Sequence, residues 1–185
     1  LFFVNDFKNL DFRGSNSQGL NLQNSSLTLQ RVNLQSQNLA QIKNGETAFA
    51  ALKILLGKVD KMLFREVFRN FEMLGRFNVR VVRGKTVVFD IAHTAASIEN
   101  LIQSLKQAFL DKKFVFLVSL MKGKDVQTIL RKIGSVAEHI IFTSSHKERG
   151  YSGKELAEFV KVDDSVEVIE DLKMALEKIA PEEAD

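Results

Sequence analysis

The chain contains no cysteine and no tryptophan, and only one proline and one tyrosine. Without cysteine, disulfides, thiol nucleophiles and thiolate metal sites are excluded. Its apolar runs are strand-sized, far short of the ~20 residues a bilayer-spanning helix needs, so no membrane span is expected. The three histidines, His93, His139 and His146, have no local spacing suited to zinc. A serine nucleophile elbow is also absent. The amino terminus, Leu1-Phe2-Phe3-Val4-Asn5-Asp6, has neither the basic region nor the small-residue cleavage site of a signal peptide. These absences are compatible with the cytoplasm, where the protein is expected. The chain starts at a leucine inside a strand-like stretch, and a piece of a longer protein or a degraded gene is the expectation.

The 45% hydrophobic and 26% charged residues describe a soluble globular protein. A length of 185 residues fits one domain, or one domain and a remnant of another. The net charge is +3 with a pI of about 9.1, but basic and acidic residues alternate along most of the chain. That pattern is a mixed solvated surface, and no nucleic-acid partner is expected. A nucleic-acid binder would lose affinity steeply with salt.

Up to about Gln41 the sequence is rich in Asn, Gln, Ser and Leu, with short strand-like pieces at Leu20–Leu22 and Leu27–Leu29. A helix is expected from Ile42 to Leu56, with Ala48, Ala51, Leu52 and Leu55 on its apolar face and Gly57 as its stop. A second helix starts at Asp60, carries Phe64, Val67, Phe68 and Phe71 as its stripe, and runs towards Gly75. Phe77, Val79 and Val81 then alternate as a half-buried strand. Arg83-Gly84-Lys85 turns into the apolar run Thr86–Ile91, so these two strands form an antiparallel hairpin. Beyond it, helices and strands alternate. A helix carries Ile98, Leu101, Ile102, Leu105 and Phe109, and strand Phe114–Val118 follows. Helix Val126–Ile133, strand Ile140–Thr143, helix Gly153–Val160, strand Val166–Ile169 and helix Asp171–Ile179 complete the chain. The fold class is therefore α/β, a Rossmann-like, mostly parallel sheet with one antiparallel hairpin strand, flanked by helices.

Ligands of such sheets bind beyond the carboxyl ends of the strands, which directs attention to three loops. The first reads Asp90-Ile91-Ala92-His93-Thr94-Ala95. A carboxylate ending an apolar strand is costly unless paired or used. An imidazole where the next helix begins lies where phosphate is attracted. The plain structural alternative, in which Asp90 only caps the helix and His93 fills a polar gap, is favoured by these residues taken alone. The second loop, Ser119-Leu120-Met121-Lys122-Gly123-Lys124-Asp125, offers two lysines for an anion and Asp125 as a helix cap. The third, Ser144-Ser145-His146-Lys147-Glu148-Arg149-Gly150-Tyr151, is polar and basic and reads equally as a solvated turn. Gly84-Lys85-Thr86 mimics the end of a phosphate-binding P-loop, but Val79 stands where the first glycine is required and a strand follows. It is a hairpin turn.

Together these pieces resemble the folylpolyglutamate synthase/dihydrofolate synthase family, relatives of the Mur ligases. Ala40-Gln41-Ile42-Lys43-Asn44, followed by Ala48, is similar to that family's His-Gln-x-x-Asn helix start, with the His replaced. Leu74-Gly75-Arg76-Phe77 is similar to its Pro-Gly-Arg-Phe element, and Asp90-Ile91-Ala92-His93-Thr94-Ala95 to Asp-Gly-Ala-His-Asn-Pro. Met121-Lys122-Gly123-Lys124-Asp125 matches the Lys-Asp rich loop after the next strand, and Arg149 an arginine in the following loop. The motifs keep the family's order over most of the chain after Ala40.

The resemblance implies residues 1–74 as the end of a central ATP-binding ligase domain, and residues 75–185 as a Mur-ligase-type C-terminal domain. It implies an ATP-dependent amide ligase that activates a folate carboxylate as an acyl phosphate for attack by glutamate. Asn44 would hold adenine, Arg76, Asp90 and His93 would meet the nucleotide, and Asp90 and His93 would be catalytic. The implied small molecules are folate, glutamate and ATP. Mg2+ ligands would lie in a P-loop part this sequence lacks, so this chain alone is expected to be inactive. Thr94 and Ala95 in place of Asn-Pro, and Ala40 in place of His, depart from the family. A catalytically inactive binding or regulatory module of the same fold, or a Mur-type peptide ligase domain, is the alternative.

Overall fold

The computed structural model describes residues 2–6, 39–71, 73–82, 84–145, 148–161 and 163–180. The strand-like pieces at Leu20–Leu22 and Leu27–Leu29, and His146 in the third loop, lie outside them. The elements, in chain order, are β1 (Phe2–Asp6), α1 (Leu39–Leu56), α2 (Lys61–Asn70), β2 (Asn78–Val82), β3 (Lys85–Phe89) and α3 (Ala95–Ala108). They continue with β4 (Phe114–Val118), α4 (Val126–Gly134), β5 (Ala137–Ser144), α5 (Gly153–Ala157), β6 (Val166–Asp171) and α6 (Leu172–Ile179).

The expected α/β class is the one observed: three parallel strands, β4, β5 and β6, an antiparallel β2–β3 hairpin, and helices on both faces. The hairpin pairs Val82 with Lys85 across Gly84, whose φ of +72° suits glycine. One strand was not anticipated in its place. The sheet order is β2-β3-β1-β4-β5-β6, with β1 antiparallel to both β3 and β4. Phe2–Asp6 therefore lies inside the sheet built by residues 78–171, although sequence position groups it with residues 1–74. A non-local pairing of this kind leaves no trace in periodicity.

The larger core covers one sheet face, where Ile98, Leu101 and Leu105 of α3 and Ile129, Leu130 and Ile133 of α4 meet Val88, Phe116, Val118 and Phe142. Ala175 and Ile179 of α6 cover Val87, Leu117 and Ile141 on the other face. Caps place the helices as their sequences require. Asp60 accepts from the amides of Met62 (2.8 Å) and Leu63 (3.1 Å), Asp125 from Thr128 (3.1 Å) and Asp171 from Met174 (2.9 Å). Helix α5 stops at Ala157, short of the expected Val160, because Phe159 and Val160 donate three residues back, to Leu156 and Ala157, a tightened last turn. At its start, Glu170 accepts from the amides of Gly153 (2.9 Å) and Lys154 (3.0 Å).

Gly153 is sterically required. A Cβ there would stand 2.9 Å from both the Phe142 carbonyl oxygen and Val168 Cγ1, and the backbone of β5 cannot yield. Gly153→Ala is expected to destabilise the protein by about 1–3 kcal/mol, despite alanine's better helix propensity. A thermal melt equal to wild type would refute this.

Helices α1 and α2 differ from expectation. In α1 the buried residues are Gly45 and Phe49, while Ala48, Ala51, Leu52 and Leu55 are exposed. The partner helix decides the face. Phe64 meets Phe49 edge-on at 5.0 Å and stacks on Phe68 at 5.8 Å. The Phe68 ring occupies the space over Gly45, where a Cβ would come within 2.2 Å of it. In α2, Val67 and Phe71 are exposed, leaving Phe64 and Phe68 half-buried. That helix ends at Asn70, not near Gly75, since Phe71 turns extended and donates to the Phe68 carbonyl.

Candidate functional site

A cleft of about 330 Å³ opens between the start of α1 and the start of α3, lined by Gln41, Asn44, Met73, Arg76, Asp90, Ser97 and Asn100 among others. Three of the residues singled out in the sequence, Asn44, Arg76 and Asp90, thus share one site although they come from α1, the α2–β2 connection and the end of β3. Helix α1 is anchored to α3 at the cleft's edge, where the Leu39 amide donates to Ser104 Oγ at 3.2 Å. Ser104, fully buried, donates in turn to the Asn100 carbonyl at 2.8 Å.

Asp90 is 5% exposed. Its Oδ2 accepts from the Phe77 amide at 2.8 Å and its Oδ1 from the Ala92 amide at 2.7 Å. Burial raises its pKa above the ordinary carboxylate value; the Ala92 and Phe77 amides and the nearby Arg76 charge pull it back only in part. Residues 74–77 turn sharply: Gly75 has φ +72° and Phe77, buried, has φ +54°. The Gly75 carbonyl accepts from the Ile91 amide at 2.9 Å. Its amide donates to the Asn78 side-chain oxygen.

His93 lies apart from the cleft's lining, exposed before α3. Its Nδ1 is 3.0 Å from the Ile91 carbonyl, and since a carbonyl only accepts, this bond puts the ring proton on Nδ1. The amides of His93 and Thr94 donate to Ser97 Oγ (3.1 and 2.9 Å), and the Ser97 amide donates to Thr94 Oγ1 (3.2 Å). Thr94 and Ser97 thus close a capping box over amides that a phosphate at this helix start would use. Asp90 does not cap α3; Thr94 does.

In the second loop Asp125 caps α4 as expected. Lys122 is committed to Glu155 at 3.1 Å and lies 5.8 Å from the Tyr151 ring centroid. Ser97 and Asn100 carry no motif in the sequence, although Ser97, Asn100 and Ser104 recur at helical spacing as the polar stripe of α3, while Gln41 belongs to the helix-start motif quoted above. Among the described residues no three His, Asp or Glu side chains gather in a metal-binding group. No described helix is long and apolar enough to cross a membrane.

Three parallel strands with helices on both faces, entered through a turn that is left-handed at Gly75 and Phe77 and lies beside an inter-helix cleft, define a Rossmann-like α/β domain. The chain belongs to the Mur ligase, glutamate ligase domain family, whose profile matches residues 75–185. Among solved structures it is similar to the folylpolyglutamate synthase of Mycobacterium tuberculosis complexed with ADP, with 25% identity and a TM-score of 0.73 over 79% of this chain and 33% of that one. It is 30% identical to the Thermotoga maritima folylpolyglutamate synthase, with a TM-score of 0.63 over 75% of this chain and 33% of that one. A bifunctional folylpolyglutamate synthase/dihydrofolate synthase with Mn, AMPPNP and L-glutamate bound shares the fold at 22% identity and a TM-score of 0.64, over 74% of this chain and 32% of that one. No curated protein matches the sequence. The chain spans about a third of the length of these structures.

Proposed function

We propose that this chain is the carboxy-terminal portion of an ATP-dependent amide ligase that adds glutamate to folate. The observation that carries the reading is the meeting of Asn44, Arg76 and Asp90, each from a separate family-like motif, in one polar cleft. The donor set suits an adenine nucleotide. An amide serves the base, a guanidinium the phosphoryl charge, and a carboxylate, already engaged on both oxygens, stands beside them. ATP supplies the phosphoryl group that converts a folate carboxylate to an acyl phosphate, and the amino group of glutamate then displaces phosphate. His93, outside the cleft, would approach phosphate only from its rim. The magnesium that accompanies the nucleotide would take its ligands from another part of a longer protein.

Residues 1–74, apart from Phe2–Asp6, which pairs inside the closing domain's sheet, are read as the end of the central domain and 75–185 as the closing domain. The exposure of Ile54 (83%), Leu55 (78%) and Leu74 (81%) supports this, since apolar surface of that extent marks a contact face. By itself the chain is therefore expected to self-associate. Sedimentation as a monodisperse monomer would count against the domain reading.

Equilibrium dialysis with labelled ADP tests the site. The chain is expected to bind ADP, and Arg76→Ala to weaken binding about ten- to a hundredfold, the loss of one charge-assisted hydrogen bond. Absent binding, or binding indifferent to Arg76, removes the nucleotide reading. An inactive binding module is the second reading, favoured by the amides of His93 and Thr94 being already engaged by Ser97. It predicts ADP binding but no folate- and glutamate-dependent hydrolysis in a longer product that carries a P-loop.

A further inference from the structure

Arg76 stands between two residues of left-handed backbone, Gly75 (φ +72°) and Phe77 (φ +54°). Glycine adopts such angles freely, whereas a bulky L-residue does so only where its surroundings impose it. Phe77 is held there by a buried ring and by its amide, which donates to Asp90 Oδ2 at 2.8 Å. That amide belongs to the Arg76–Phe77 peptide group, so its direction sets where the Arg76 side chain leaves the backbone. The other Asp90 oxygen is anchored by the Ala92 amide at 2.7 Å. The Ile91 amide, between them in sequence, holds the Gly75 carbonyl at 2.9 Å. The loop after β3 thus grips the chain on both sides of Arg76, and Asp90 and Arg76 line the same cleft.

We propose that Asp90 is a positioning residue: its carboxylate holds the Arg76–Phe77 peptide group and so aims the Arg76 guanidinium into the cleft, acting on the ligand through Arg76. This rests on the nucleotide reading of the cleft. It differs from direct recognition, in which Asp90 would contribute its own hydrogen bond to the ligand. With each oxygen turned to a backbone amide and the side chain nearly inaccessible, Asp90 serves the turn first.

Two measurements on the full chain decide it. The first is the ADP affinity of wild type, Asp90→Asn, Arg76→Ala and the double variant. A group acting through another is non-additive with it. Each single change is expected to weaken ADP about ten- to a hundredfold, and the double variant to be no weaker than Arg76→Ala alone. Multiplying losses would make Asp90 an independent ligand and overturn the proposal. The second is amide hydrogen exchange. In Asp90→Asn the Phe77 amide is expected to exchange about tenfold faster or more, with the Leu117 and Ile141 amides of β4 and β5 unchanged. Unchanged Phe77 exchange overturns the grip. Should wild type take up no ADP, or Arg76→Ala leave binding intact, the nucleotide reading falls and exchange alone judges the grip: faster exchange at Phe77 sustains it, unchanged exchange ends it. If Asp90→Asn fails to fold, Asp90→Ser, smaller and still able to accept from one amide, carries the same comparison.

Discussion

Phe116→Ala is expected to lower the unfolding free energy by about 3–5 kcal/mol. Phe116 lies at the middle of β4, fully buried, and its ring meets Phe114 edge-on at 6.3 Å. Its backbone pairs with Phe3 of β1 on one side and Ile140 of β5 on the other, so the sheet cannot close over the space an alanine would leave. The loss is then the transfer energy of the ring plus that of a persistent cavity. Against a typical stability of about 5–15 kcal/mol, that is a large share. Urea unfolding followed by far-UV circular dichroism reads it as a lower midpoint at an unchanged slope. Val81→Ala, on the exposed edge strand β2, serves as control and should change stability by less than about 0.5 kcal/mol. Equal effects at the two positions would mean that β4 is not the centre of the core.

The second large effect is expected at Asp90. Alanine there strands two buried amides, those of Phe77 and Ala92, at about 1–3 kcal/mol each. The loss should depend on pH in a definite direction. Burial raises the folded-state pKa of Asp90 above 3.8, outweighing the amides and Arg76 that lower it. The folded protein therefore binds this proton more tightly than the unfolded chain does. Wild type loses stability as pH rises from 3.8 through the raised value, and the loss is complete above it. Asp90→Ala does not titrate at this position. The stability gap between wild type and variant should be largest below pH 3.8 and should narrow as pH rises through the raised value. A gap that widens as pH rises would show that Asp90 is held ionised instead.

Local signals were read most successfully where one element's own pattern suffices. The apolar stripe of α3 at Ile98, Leu101, Ile102 and Leu105 is the buried one. Asp60 and Asp125 cap the helices they precede, and Gly84 makes the hairpin turn. These features depend on residues within one or two turns of each other. Helix α1 departs from its own pattern for the opposite reason. Its Ala48–Leu55 stripe has ideal spacing, yet Gly45 and Phe49 are buried, because only at Gly45 can the Phe68 ring come that close. The missing Cβ of one helix and a ring on another decide that face, and neither helix shows it alone.

The candidate site divides in the same way. Asp90 and His93 are recognisable as chemically apt by their place after an apolar strand, whereas Asn44 and Arg76 are marked only by the family-like motifs, whose order indicated a family. Which of them share a cleft is a matter of distance across the fold. His93 follows Asp90 by three residues, yet its ring turns back on the Ile91 carbonyl and stays outside. Asn44 is forty-six positions from Asp90 in sequence, 90 minus 44, and lines the same cleft. Asn100 and Ser97 join it only because α3 packs beside α1.

What the sequence determined by itself is the alternation of strands and amphipathic helices, the hairpin, the caps and the family-like motifs, all of which rest on short-range sterics, hydrogen bonding and period. Only the tertiary structure decided that Phe2–Asp6 enters the sheet between β3 and β4, that α1 buries Gly45 and Phe49, and that Asp90 spends both oxygens on backbone amides flanking Arg76. Each of those depends on groups far apart in the chain being brought within a few ångströms, where one ring, one absent Cβ or one buried carboxylate settles which arrangement is filled and hydrogen-bonded.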